Sequence, residues 1–418
     1  MGAGGCKFFK YYQMKKWIFL ALIAASCTTS HQSTDLIKEN FSFATQQLNF
    51  AFREIENLKA EFTERQREQM LVSPRNVERN GALRMVSSRD WTSGFFPGVL
   101  WFMYEYTQDS FWKQQAEAFT LPIEREKTNG GTHDMGFKIF NSFGNGYRLT
   151  NNPAYKDIIL EAAYTLITRY KPATGCLRSW DHSQDKWQCP VIIDNMMNLE
   201  LLFWAFKQSG DSTFYRIAVS HATTTMKNHF RPDNSSYHVV DYDTITGQIL
   251  NKHTHQGYFH ESAWSRGQAW GLYGFTMSYR ETRKPEFMEQ AKKIAHFMFQ
   301  HKNIPDDLVP YSDFDAPNIP NEPRDVSAAT ISASALYELS MYDKENAAKY
   351  KKWAGTILEN VTKKYRAALN ADRGFLLLHS TGAAPTNSEV AVPIIYADYY
   401  FLEALLRKGR LEKTGSVF

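Results

Sequence analysis

An all-α fold, a single (α/α)6 barrel of six α-hairpins, is what this sequence predicts, from three observations. Apolar residues recur with a helical period in about twelve segments. The connections between many of them are brief turns, such as Gln108-Asp109-Ser110, Thr150-Asn151-Asn152-Pro153 and Ser209-Gly210-Asp211. There Asp, Asn, Ser and Pro stop one helix and cap the next, and connections this short imply antiparallel neighbours. Third, the segments come in two kinds. Those near 153–170, 212–230, 285–301 and 346–366 carry Lys, Asp and Glu on one face, whereas those near 93, 135, 195, 262, 325 and 391 are poor in charge and rich in Gly, Ala and aromatics. A helix apolar on nearly all sides belongs inside, so the two kinds read as outer and inner rings.

In chain order the helical segments fall near 35–60, 93–107, 111–124, 135–148, 153–170 and 195–209, then 212–230, 262–282, 285–301, 325–342, 346–366 and 391–408. Strand-like runs are short and confined to connections, as at 237–240 and 375–378. No linker-like stretch interrupts the chain, so one catalytic domain is expected over 35–410.

Residues 1–26 read differently. Lys7, Lys10, Lys15 and Lys16 account for the whole formal charge of +4, leaving the remainder neutral. From Met14, the expected true start, a basic stretch leads into an apolar run from Trp17 to Ala25, too short to span a bilayer, and then to small residues before Cys27. This reads as an export signal of lipoprotein type, which predicts a periplasmic protein attached to a membrane only by lipid on Cys27, the alternative being an ordinary signal peptide cut nearby. A neutral mature chain lacks the electrostatic footprint of a nucleic-acid binder. Cys176 and Cys189 flank LRSWDHSQDKWQ as cross-strand partners in a short hairpin would, either bonded to one another or as two free thiols.

The chemically unusual residues collect where inner helices begin: Asp90-Trp91, His133-Asp134, Asp194-Asn195, Arg266 with Trp270, Arg324-Asp325 and Ser388-Glu389. Parallel inner helices bring their starts to one mouth, where a cleft opens. Asp and Ser are also ordinary N-caps, and Asp325 and Ser388 suit that use equally well. Asp134 and Asp194 sit in longer unusual strings and form the expected carboxylate pair. A carboxyl that donates a proton near neutrality needs its pKa raised, which burial and a second carboxylate accomplish. Aromatics are 15% of the chain, and Trp91, Trp180 and Trp270 would wall the cleft and stack on a sugar. Arg266 lies one turn into a helix where few charges occur, and its fork suits a planar anion. His253 and His255 have no further ligands at metal spacing, so neither metal nor cofactor is expected.

The strings DWTSGFFPG (90–98), HDMGF (133–137), GCLRSWD (175–181), VIIDNMMNLELL (191–202), THQG (254–257) and SAWSRGQAWGLYGF (262–275) together resemble glycoside hydrolase family 88, the unsaturated glucuronyl hydrolases. The resemblance runs from about residue 90 to 408. It implies removal of a terminal 4,5-unsaturated uronic acid from disaccharides or oligosaccharides left by a polysaccharide lyase. The reaction is hydration of the C4=C5 enol ether rather than displacement at C1. The resemblance makes Asp194 the general acid and base and Asp134 its partner, and puts His238 and Gln256 on the unsaturated ring, with His133 orienting Asp134 or lining the cleft. Two positions depart from the pattern: Cys189 replaces an aromatic and Ala391 an Asp. Three other readings compete: an unsaturated galacturonyl-rhamnose hydrolase on the same barrel, an inverting glycosidase using Glu261 or Glu389, and a non-catalytic sugar-binding lipoprotein.

Overall fold

The structure is a computed structural model that describes residues 1–2 and 35–418; the leader and Cys27 lie outside the described residues. Helices Phe95–Thr107, Gly136–Thr150, Ile193–Ser209, Ser265–Thr282, Val326–Tyr342 and Ile395–Thr414 form an inner ring, in which each packs on the next and the last packs back on the first. Five outer helices lie behind it, Ser110–Thr120, Pro153–Ile167, Ser212–Asn228, Pro285–Gln300 and Ala347–Asn360. The helix over 35–60 is the sixth, placing Phe41 face to face with Tyr106 at 3.9 Å and Phe52 edge-on to Phe96. This is the (α/α)6 barrel anticipated from composition.

The turns act as expected. Asp109, Asn152 and Asp211 each accept the backbone N–H two residues on, satisfying donors that a helix start leaves free. Inner helices are buried almost all round, from Val326 to Ser340 in one case and Ser265 to Ser278 in another. Small residues let them approach. A Cβ on Gly136 would lie 2.7 Å from the Cα of Asn198, so any other residue there would force two inner helices apart. That contact falls where Gly136–Gly144 is wound as a π-helix, and the Asn198 side chain accepts the Phe137 N–H. Periodicity alone cannot distinguish such winding from α.

Across the axis, Phe95, Phe137, Trp270 and Tyr400 meet at centroid distances of 5.2 to 6.1 Å and plug the barrel. Below the plug the C-terminal helix ends enclose a cavity of about 820 Å³ lined by Arg148, Glu200, Trp204, Arg280 and Glu403 among others. Its charges are matched: Arg280 pairs with Glu200, Glu281 and Glu338, and Arg407 with Glu338 and Glu403.

Several local expectations are corrected. An unanticipated antiparallel hairpin, Leu71–Val77 with Leu83–Ser87, precedes the barrel. Residues 239–242 form a strand between Pro190–Ile192 and Ile249–His253, but 375–378 makes only an isolated bridge, Leu377 to Arg366. Cys176 and Cys189 are not hairpin partners: Cys176 pairs with Lys171, and Cys189 is held by the Asp241 carboxylate and Tyr242. Both are free, buried thiols whose pKa burial pushes up. The last inner helix begins at Ile395, not 391, because residues 380–392 double back as a hairpin bridged at Ser380–Val392 and Ala383–Ser388.

In that hairpin Ala391 is exposed, has φ 54°, and donates its N–H to Thr381 Oγ1. The left-handed region suits Asn or Asp better than Ala, so the departure from the family pattern costs backbone strain. Ala391→Asn is expected to stabilise the protein by about 0.5–1 kcal/mol, seen as a higher denaturant midpoint with unchanged m-value.

Candidate active site

Strand pairing delivers the site residues. Ser179 donates its N–H to Pro190 O and accepts the Ile192 N–H, tying the Trp180 segment to the strand that leads into Asp194. The register Ile192–Val239, continued by Ile193 N–H to His238 O, sets His238 beside Asp194, with Nε2 3.6 Å from Oδ2. His133 N–H donates to Ser179 O, bringing in the second carboxylate.

Asp194 is buried, and its Oδ2 has no hydrogen-bond partner among the described residues. Burial pushes its pKa up to about 7. Arg266 pulls against this, Asp134 adds to it by repulsion, and the Trp270 indole, aimed at the same carboxyl, opposes it. A carboxyl so placed is proton donor and proton acceptor near neutrality. Neither acid is a helix cap here. Asp134, partly exposed to the cleft, accepts from Thr132 Oγ1 at 2.8 Å and lies 3.2 Å from His133 Nε2. Burial lowers the His133 pKa although Asp134 opposes it, so that ring is a neutral neighbour.

His238 is fixed more tightly. Its Nδ1 accepts the backbone N–H groups of His255 at 3.0 Å and Gln256 at 3.2 Å. Burial and the adjacent His255 and Arg266 hold its pKa well below the usual value. A neutral ring whose Nδ1 accepts must carry its proton on Nε2, the nitrogen facing Asp194. The THQG turn therefore selects the tautomer, and Gln256 continues outward to donate Nε2 to Gly382 O.

Arg266 does not stand free as a carboxylate clamp. Nη1 donates to Asp325 Oδ2 at 2.9 Å and to Thr381 O, and Nη2 to Gly382 O at 2.7 Å, leaving Nε without a partner. Both η nitrogens serve the protein, so the Nε N–H and the second N–H of Nη2 are the donors left for a substrate carboxylate. Asp325 is at once the N-cap of its helix and the counter-ion of Arg266. Trp270 is fully buried, so it contributes wall and not stacking surface, whereas Trp91 and Trp180 remain partly open. Trp180 stacks on His182 at 5.4 Å, and Trp91 on Tyr396 at 5.1 Å.

The carboxylates nominated for an inverting glycosidase are committed elsewhere: Glu261 is exposed and paired with Arg231 and Tyr237, and Glu389 is gripped by Arg75. Sequence reasoning overlooked Thr132, Trp264, whose ring lies under both His238 and Arg266, and Arg75. Thr132, two residues before Asp134, is the one of these with a local signal, the spacing at which a hydroxyl reaches a carboxylate. Among the described residues no cluster of His, Cys, Asp or Glu could hold a metal ion, and no helix is long and apolar enough to cross a membrane.

No family model matches the chain. It is 51% identical over 328 residues, 78% of this chain and 82% of the other, to an unsaturated glucuronyl hydrolase from Formosa agariphila. It is 33% identical, over 78% of its own length and 83% of the relative's, to an unsaturated chondroitin disaccharide hydrolase from Streptococcus agalactiae. Among solved structures, an unsaturated glucuronyl hydrolase specific for heparin superposes with a TM-score of 0.84 at 43% identity, covering 91% of this chain and 98% of that one. With a barrel and a paired-carboxylate mouth of this form, and relatives this similar over most of their length, the chain belongs to the unsaturated glucuronyl hydrolases, glycoside hydrolase family 88.

Proposed function

We propose that Asp194 is the general acid and base of this glycosidase and Asp134 its electrostatic partner. One observation carries the assignment: a buried carboxyl, pushed up to about 7, with an unpartnered oxygen beside a second carboxylate. The substrate is a lyase-generated saccharide of glycosaminoglycan type ending in a 4,5-unsaturated uronic acid. Asp194 gives its proton to C4 while the ring oxygen supports positive charge at C5, and water then adds at C5 as Asp194 takes a proton back. The hemiketal opens by breaking the C5–O5 bond, and the hemiacetal left at C1 collapses to release the neighbouring sugar. The neutral His238 donates toward this centre from Nε2, Asp134 and Gln256 bind ring hydroxyls, and Trp91 and Trp180 stack on the saccharide. His133 orients Asp134, Trp270 walls the buried side of Asp194, and Arg266 acts by its field and its free Nε. We also propose export to the periplasm and lipid attachment at Cys27, supported by the leader pattern alone.

Asp194→Asn is expected to lose activity by about 10²- to 10⁴-fold and to stay folded. Because the working acid is the protonated form, kcat/KM of the parent should fall above about pH 7. Asp134→Asn removes a charge that raises that pKa, so it should move this limb to lower pH as well as weaken binding. A pH profile of each variant against an unsaturated disaccharide is the measurement, and an unmoved limb in Asp134→Asn would deny the coupling.

Reaction in oxygen-18 water should label C5 of the product from the unsaturated ring, with no label entering at C1 during cleavage, while the ultraviolet absorbance of the conjugated enol falls in step. Saturated glucuronides should be inert. Mass spectrometry locating the label at C1 would return the reaction to displacement at the anomeric centre.

Metabolic labelling with a fatty acid is expected to mark the parent and to leave Cys27→Ser unmarked. Equal labelling of the two would remove the anchor from this account.

A further inference from the structure

We propose that Arg75, on the hairpin that precedes the barrel, is a positioning residue that sets how tightly the cleft grips its substrate. The claim rests on the assignment of the cleft around Asp194 made above. Arg75 uses its whole guanidinium. Nε and Nη2 donate side-on to the two Glu389 oxygens at 2.6 and 2.7 Å, and Nη1 donates to Asp90 Oδ2 at 2.8 Å. Its other face lies 6.0 Å from the Trp91 ring centroid.

Each partner leads to the cleft by a separate route. Asp90 accepts the N–H and hydroxyl of Thr92 through its second oxygen, which orients the turn carrying Trp91. Glu389, with φ 51°, belongs to the 380–392 hairpin, and Gly382 of that hairpin accepts from both Arg266 and Gln256. A Cβ on Gly382 would lie 2.7 Å from Glu389 Oε2 and 3.0 Å from Glu389 Cβ, so any other residue there would displace the Glu389 carboxylate. The strand bearing Arg75 adds a bridge of its own, Asn76 to Ile394. Three segments distant in sequence, the first hairpin, the Trp91 turn and the 380–392 hairpin, thus share one planar cation. None of these contacts is made to Asp194 itself, and Arg266, which the hairpin also holds, keeps its ion pair with Asp325 outside the hairpin, so the effect falls on the grip on substrate and not on proton transfer.

A planar, two-sided fork is the feature that matters, and an ammonium cannot reproduce it. Arg75→Lys keeps the charge, so the nearly buried Glu389 retains a counter-ion and the fold survives. It is expected to raise KM for an unsaturated disaccharide by about tenfold, with kcat and the limb near pH 7 unchanged and Tm close to the parent. Glu389→Gln should shift KM the same way by a smaller factor, and it decides the matter should Arg75→Lys melt early. A KM equal to the parent's in the folded variants overturns the proposal, as does a fall in kcat at constant KM. Asp194→Asn is assayed alongside: full activity there would instead remove the site assignment on which the proposal stands.

Discussion

The inner helices of this barrel have neighbours on both flanks and an outer helix behind, so their walls have almost no water to offer a charge. An ionised group left unpaired in such a wall costs several kcal/mol. Charges are consequently driven to the two ends of the ring. At the C-terminal end they cancel in a compact network of Arg280, Glu338, Arg407 and Glu403. At the N-terminal end the cancellation is incomplete, and Asp194 Oδ2 and Arg266 Nε are among the described atoms left without a partner there. The chemistry of the mouth is the residue of a packing constraint on the whole ring.

The balance around Asp194 depends on which neighbours stay uncharged. His238 and His133 would each lower its pKa if protonated, but burial holds both imidazoles neutral. Arg266 cannot be neutralised, yet its field is shared with Asp325 and with the carbonyls of Thr381 and Gly382. Binding the guanidinium into the protein thus protects the acid from its strongest opponent. An arginine free to clamp a substrate would oppose the protonated state more strongly.

Ring membership of the helices was legible in the sequence because burial on all sides leaves a compositional trace, and capping residues such as Asp109, Asn152 and Asp211 mark boundaries through local bonds. Asp134 and Asp194 stood out for a local reason, since they sit in strings that no capping or packing need explains, whereas His238 was reached only through the family resemblance. What escaped notice depends on pairs far apart in sequence. Arg75 and Glu389 are 314 residues apart, and Arg266 and Asp325 are 59. Nothing near Arg266 announces that both of its η nitrogens are engaged by the protein. The helix start read near 391 likewise fell on the end of the 380–392 hairpin, since the turn chemistry there is carried by residues such as Glu389 and Ala391 in a left-handed conformation that they seldom adopt.

The aromatic plug has a consequence for how polymers are read. Phe95, Phe137, Trp270 and Tyr400 pack ring against ring on the inner helices, and Trp270 is also aimed at the Asp194 carboxyl, so the interior beside that carboxyl is filled by side chains. On the proposed assignment of Asp194, an interior filled in this way gives a saccharide no route through the ring and favours approach by a chain end. An architecture of this kind suits an exo-acting enzyme, taking one residue per visit.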